Sequence, residues 1–216
     1  MIPHTWFDIA QPQAPDGARL RRAFGRPRRV LVAHGLAEVG PVLDAAHEAA
    51  CQGAWCVGFV RYEAAPAFDH ALRVHAVDPV EGPLAWFAVH DEVDALPVEA
   101  AGAGQADSAQ LSWHREPDRA AFDAAMARLH QAITDGEVYQ VNHTDRLEGR
   151  LSGEPWALFG ALHRAQPGGY GIFLATDEEQ VLSVSPELFF DWRDGQVLTR
   201  PMKGTAARAA DPAEDA

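Results

Sequence analysis

Apolar and polar positions alternate most clearly near the end of the chain, where 181–184, 188–192 and 197–199 read as short strands. Ser185-Pro186-Glu187 separates the first two, and Asp194-Gly195 supplies the turn dipeptide of a tight hairpin between the second and third. Further runs rich in Val, Phe and Trp predict strands at 30–33, 55–61, 84–89 and 170–175. Elsewhere helical spacing replaces this alternation. Pro41 opens a helix whose apolar positions are Val42, Leu43, Ala46, Ala49 and Ala50, with Gly53 as its stop signal. A second helix starts at Pro117 or Asp118, carries Phe122, Met126, Leu129 and Ile133 on one stripe and ends at Gly136; Phe122 and Met126 are expected in the core. A third begins at Pro155, spans 156–166 and gives way to Pro167-Gly168-Gly169. The early part of 137–151 has the look of a strand that sets Gln140, Asn142 and Thr144 on one face, suited either to a polar cavity or to solvent. Strands and amphipathic helices together give an α+β protein.

Composition bounds what such a chain can do. At 216 residues and 47% hydrophobic content it is long enough to bury a core, as one large or two small domains. A shift to Ala, Gly, Pro and small polar residues at 94–110 marks a linker or long surface loop that divides 1–93 from 111–216. With 18 basic and 31 acidic residues the net charge is −13, which opposes binding to nucleic acid or to an anionic membrane and requires local cations at any site for an anion. The arginines Arg19, Arg21, Arg22, Arg26, Arg28 and Arg29 therefore read as a solvated face or a set of ion pairs. Cys51 and Cys56 are the only cysteines and lie too close in sequence to staple much, so two buried thiols in a reducing compartment are expected. His47-Glu48-Ala49-Ala50-Cys51 lacks the second histidine of a helical zinc motif and reads as an ordinary helix face. Prolines and an aspartate occupy the first residues where a signal segment needs an apolar run, and no later run approaches the roughly 18 residues of a membrane span. The cytoplasm is the expected compartment. Asp211-Pro212-Ala213-Glu214 carries helix start signals with too little chain after it for a stable helix, so the tail is expected either to lack structure or to continue in a longer chain.

Candidate chemistry sits at the ends of the last hairpin. Glu187 follows a proline, whose missing N–H and fixed φ interrupt regular pairing, and Lys203 lies in Pro201-Met202-Lys203-Gly204-Thr205, just past a strand. A hairpin returns distant residues to each other's side, so a carboxylate and an amine 16 residues apart can share one cleft.

Ordered motifs then give a resemblance. Gly136-Glu137-Val138-Tyr139-Gln140-Val141-Asn142-His143-Thr144, Ser185-Pro186-Glu187 and Thr199-Arg200-Pro201-Met202-Lys203-Gly204-Thr205, followed by Arg208, Asp211 and Asp215, resemble the N-terminal part of the chorismate-utilising enzymes. Within that family the chain is most similar to the aminodeoxychorismate synthase component I branch, because anthranilate synthase component I relatives usually carry Ala where this chain has Lys203. His143, Leu147 and Leu188 depart from the family's usual Leu, Phe and Arg. The resemblance implies a fold of orthogonally packed antiparallel β-sheets flanked by helices, here incomplete. It makes 1–93 the N-terminal α+β region and 111–216 the first part of the chorismate-binding domain, ending before the family's metal-binding half. Strand edges and apolar faces are accordingly expected to be uncovered, with self-association as the result.

The same resemblance implies a chemistry. Lys203 would attack C2 of chorismate with allylic loss of the C4 hydroxyl, after which ammonia enters at C4 and expels the lysine, giving 4-amino-4-deoxychorismate. An amine with an ordinary pKa near 10.4 must be made neutral by burial or neighbouring positive charge, for which Arg200 and a bound Mg²⁺ are the implied sources. Hydroxide leaves poorly, and Glu187 matches the carboxyl that protonates it. Thr205, Gly204, Arg200, Ser185 and Asn142 are the implied substrate-binding residues, and the Mg²⁺ ligands are expected outside this chain. A glutamine amidotransferase subunit supplying ammonia is the implied partner, alongside the chain's own missing C-terminal segment. Two alternatives accompany this reading: a catalytically silent fragment or split half, and an anthranilate synthase component I-like enzyme.

Overall fold

The computed structural model describes residues 2–12, 14, 17–75, 82–91, 109–115 and 118–201. In chain order these form β1 (Thr5–Ala10), β2 (Arg19–Phe24), β3 (Arg29–Ala33), α1 (Leu36–Cys51), β4 (Trp55–Val60), a 3-10 turn at Tyr62–Ala67 and β5 (Ala85–His90). There follow β6 (Gln110–Arg115), α2 (Arg119–Thr134), β7 (Glu148–Ser152), α3 (Pro155–Ala165), β8 (Tyr170–Ala175), β9 (Gln180–Ser185), β10 (Leu188–Arg193) and β11 (Gln196–Arg200).

Four antiparallel strands in the order β2-β1-β8-β9 make the largest sheet, and β3-β5-β4 make a second. β1 lies inside the first sheet and both of its faces are buried. Its alternation builds the layers. Phe7 joins Phe24 and Leu174 against Val57, Trp86 and Ala88 of the second sheet. Trp6, on the opposite face, joins Ala23 and Phe173 under Phe159 of α3, meeting Trp156 and Phe159 edge-on at centroid distances of 5.9 and 5.4 Å. On the far side of the second sheet, Val39 and Val42 of α1 pack on Ala33, Leu84 and Ala85. The result is a helix, two sheets and a helix in successive layers, as expected of an α+β protein with antiparallel sheets between helices. Each buried aromatic or aliphatic side chain in these clusters contributes roughly 1.5–3 kcal/mol of transfer free energy.

Asp8 shares the α3 face with Trp6 and is fully buried. Its Oδ1 accepts from Arg19 Nε at 2.6 Å, while Arg21 Nε and His163 Nε2 stand 2.9 and 3.2 Å from Oδ2. Arg19 and Arg21 thus form ion pairs, one of the two alternatives read from the cluster. β2 itself does not show in the apolar pattern because its α3 face holds a half-buried Arg19 and an exposed Arg21 opposite an aspartate. A second ion pair joins the two sheets: Arg61, just after β4, donates to both carboxylate oxygens of Glu179 in the β8–β9 turn at 2.7 Å and to the Pro83 carbonyl at 2.9 Å.

Several elements depart from the sequence pattern. α1 starts at Leu36, ahead of Pro41, because the Glu38 carboxylate accepts from the N–H groups of His34 and Gly35 at 2.8 and 3.0 Å and holds the first turn. Those two bonds lower the pKa of Glu38. Pro41 is accommodated inside the helix. α2 begins with Asp118 accepting from the Ala120 N–H at 3.1 Å and is followed by Gly136 at φ 76°, as predicted, but it buries no residue. Phe122 is 41% exposed and Met126 half-buried: the stripe is present and no described element covers it. Residues 138–147 form no strand, so the predicted shared face of Gln140, Asn142 and Thr144 does not form; only 148–152 find a partner, in β6. The predicted linker 94–110 lies outside the described residues except for its last two.

Burial holds the His163 imidazole below its ordinary value, and Arg19 and Arg21 add to the effect, outweighing the attraction of Asp8. The unfolded chain, with an ordinary histidine near 6.5, therefore binds the proton more readily than the folded one. Its contribution to stability is complete above that value and is lost as the pH falls through it towards the depressed folded value. Urea midpoints measured between pH 7.5 and 5 should fall on the acid side, and His163→Gln should flatten that part of the curve; an unchanged slope would show that His163 does not titrate there.

Candidate functional site

The final hairpin forms as the Asp194-Gly195 dipeptide predicts. Asp194 and Gly195 take φ values of 51° and 75°, the paired positive angles of a primed turn. β10 and β11 pair Arg193 with Gln196, Trp192 with Val197 and Asp191 with Leu198, then shift by one residue so that Leu188 faces Arg200. The shift sets Phe189 and Phe190 against Thr199, and a bulge of this kind re-aims the side chains beyond it. Continuing the shifted register places Glu187 opposite Pro201. Both residues line one open hollow of about 400 Å³ together with Leu188, Phe189 and Thr199.

Glu187 is exposed and held by its own turn. Ser185 Oγ donates to the Glu187 carbonyl at 3.0 Å and accepts from the Glu187 N–H at 3.3 Å, a side-chain turn that fixes the chain across Pro186. Ser185 is in turn paired with Tyr170 at the start of β8. The preceding Gly169 lies so close that an added Cβ would stand 2.8 Å from the Ser185 carbonyl oxygen.

The other residues singled out from sequence fall in different places. Arg200 alternates with Thr199 and Pro201 along β11; its Nη2 donates to the Pro12 carbonyl at 3.0 Å, tying the hairpin to the segment between β1 and β2. Asn142 is exposed in the irregular segment 138–147, which meets α2 through an edge-on contact of His143 with Phe122 at 5.6 Å. Lys203, Gly204 and Thr205 lie outside the described residues. The hairpin therefore gathers Glu187 with the strand that runs on toward Lys203, while Arg200 and Asn142 do not line the hollow.

Sequence reasoning missed a second hollow, of about 390 Å³, between β3 and the β8–β9 turn, with His4, Arg26, Arg28 and His34 facing Asp177 and Glu178. Its basic and acidic walls offset each other, and Arg28 is already paired with Asp91 at 2.6 Å. Among the described residues no group of three or more His, Cys, Asp or Glu side chains is arranged to hold a metal ion. No set among the described residues fits magnesium. Cys56 donates to the Ala46 carbonyl at 3.2 Å and burial raises its thiol pKa, whereas Cys51 is exposed rather than buried as expected. No helix among the described residues is long and apolar enough to cross a membrane.

The family model described as chorismate binding enzyme matches residues 19–216. Aminodeoxychorismate synthase component 1 of Klebsiella aerogenes is 32% identical over 158 residues, covering 72% of this chain and 33% of the relative. Anthranilate synthase component 1 of Thermus thermophilus is 31% identical over 166 residues, covering 73% of this chain and 35% of the relative. An anthranilate synthase component 1 of Haloarcula marismortui is 33% identical over 134 residues, covering 61% and 25%. The chain spans about a third of the length of the first two.

Because Gly169 backs directly onto the Ser185 carbonyl, Gly169→Ala should push β9 off β8 and cost about 1–3 kcal/mol, read as a lower urea midpoint at unchanged slope. An unaltered midpoint would mean that the start of β8 yields freely.

Proposed function

The chain belongs to the chorismate binding enzyme family, and from that membership we propose that it is the chorismate-binding component of an aminodeoxychorismate synthase. In this reading it converts chorismate and ammonia to 4-amino-4-deoxychorismate for p-aminobenzoate and folate synthesis. The ammonia comes from glutamine through an amidotransferase subunit, and the cytoplasm is the compartment. The observation that carries the reading is the shared hollow. Glu187 and Pro201 line it from the paired ends of one hairpin, and Lys203 follows Pro201 by two residues in the sequence.

The roles follow from bond accounting. The Lys203 amine adds to C2 as both conjugated ring double bonds shift towards C4, and the C4 hydroxyl departs as water with the proton of Glu187. Ammonia then adds at C4, the two double bonds return as the lysine leaves, and a proton lost from the new ammonium restores the Glu187 carboxyl, so the net change is exchange of hydroxyl for amine. Ser185 holds Glu187 in place, and Gly204, Thr205, Arg200 and Asn142 are assigned to substrate contact. Magnesium belongs to the same reading, held by residues outside those described. The orthogonal crossing of the two sheets belongs to it as well.

The chain alone is expected to be inactive, so product chromatography after incubating a full-length version, the chain joined to the complementary segment of a relative, with chorismate and ammonium tests the assignment. Glu187→Gln should lower turnover by about 10²–10⁴-fold, and Lys203→Ala should abolish it. Unchanged turnover in either variant removes that residue's role, and anthranilate as product would move the chain to the sister branch.

A second reading is favoured by the uncovered apolar residues Trp113, Phe122, Ile133, Phe189, Phe190 and Trp192, which are all at least 41% exposed. In that reading the chain is silent alone and acts once the rest of the family's domain covers those faces. Light scattering should then show self-association of the chain by itself. Mixing with the complementary segment from such a relative should yield a defined complex and turnover; a monodisperse monomer that gains nothing on mixing would refute it.

A further inference from the structure

We propose that Arg19 is a positioning residue for the Ser185-Pro186-Glu187 turn, acting through the carbonyl of Gly169; its bearing on catalysis rests on the reading of Glu187 as the acid. Arg19 uses its guanidinium for two purposes. Nε donates to Asp8 Oδ1 at 2.6 Å and Nη2 to the Asp8 carbonyl at 3.1 Å, which fixes the fork on β1. Nη2 also donates to the Gly169 carbonyl at 2.6 Å, across 150 residues of sequence. Neutralising Asp8 does not require that last bond, because Arg21 already stands 2.9 Å from the other carboxylate oxygen.

What the bond does instead is hold the peptide that enters β8. Gly169 has no side chain to absorb a displacement, and its Cα is backed against the Ser185 carbonyl oxygen, which an added Cβ would approach to 2.8 Å. Ser185 then closes on both backbone groups of Glu187 through its hydroxyl. From the buried Asp8 to Glu187 the path therefore runs through a charge-assisted fork, a backbone-on-backbone contact and a two-bond turn, with no flexible side chain at the middle step. A planar fork can meet Asp8 and Gly169 together, whereas a lysine ammonium placed at the carboxylate cannot span both.

Hydrogen exchange on the whole chain, read by mass spectrometry, tests this without an activity assay. Arg19→Lys keeps the charge beside Asp8 and the fold with it, so exchange over 183–188 should become about tenfold faster while exchange over 36–51, in α1, stays as slow as before. Arg21→Lys, which perturbs the same carboxylate without reaching Gly169, should leave 183–188 slow. The proposal is overturned if 183–188 is unchanged in Arg19→Lys, if Arg21→Lys accelerates it equally, or if 36–51 accelerates in step. Retained turnover in Glu187→Gln would instead overturn the acid assignment and leave the tether standing.

Discussion

A carboxylate taken out of water costs several kcal/mol unless its charge is matched and its lone pairs are occupied. Asp8 has been taken out of water in this chain, and the packing of the first sheet follows from how that cost is offset. Arg19 and Arg21 must both lie on the α3 face of β2 to reach it, which fixes the register of β2 on β1, since a slip of one residue would turn both arginines away. His163 must approach the same carboxylate, which sets how far α3 is rotated over the sheet and seats its ring edge-on to Trp6 at 5.3 Å. One buried charge thus specifies a strand register and a helix orientation, a role in specificity that a buried apolar residue of the same size would not fill.

Beyond the first sheet the structure changes character. The two packed sheets, α1 and α3 have buried faces, whereas α2, β6–β7 and β10–β11 carry aromatic and aliphatic side chains that stay largely exposed. The final hairpin belongs to both regimes. Its Glu187 end is anchored through Ser185 and β9 to the buried sheet, and Arg200 adds a bond to the Pro12 carbonyl, while its Asp194-Gly195 end projects Trp192 and Val197 outward. An acidic group is in this way held rigidly next to a surface that is still open.

Most of the elements were legible in the residues because local signals and tertiary packing agreed. Asp194-Gly195 demanded positive φ at two successive positions and obtained it, and Pro155 opened α3 where a proline costs no hydrogen bond. β2 was illegible because three of its six residues are arginines, and only knowledge of the partner aspartate explains how Arg19 and Arg21 share a strand with the buried Ala23 and Phe24. The start of α1 was misread since Pro41 is a stronger local mark than Glu38, although the two N–H groups that Glu38 caps determine the first turn. Within the candidate site, Ser185 and Glu187 are joined as their adjacency suggests. Arg200 could not be placed from sequence, because the bulge at Phe189-Phe190 that resets the hairpin's alternation leaves no mark in the pattern.

The open hollow also constrains the chemistry proposed for it. A lysine can act as a nucleophile near neutral pH only when desolvation or adjacent positive charge drives off its proton. The described part of the hollow is open and its carboxylate exposed, so neither condition is met by the described residues alone. Arg200, the nearest basic residue along β11, is committed to the Pro12 carbonyl. Deprotonation of the nucleophile and burial of the exposed aromatic residues around the hairpin therefore call for the same event, the arrival of a second wall. Covering the apolar face excludes water from the hollow, and excluding water lowers the amine's affinity for its proton. In the reading proposed above, assembly and catalytic competence are in this respect one process, to which the described residues contribute the turn that fixes the Glu187 backbone.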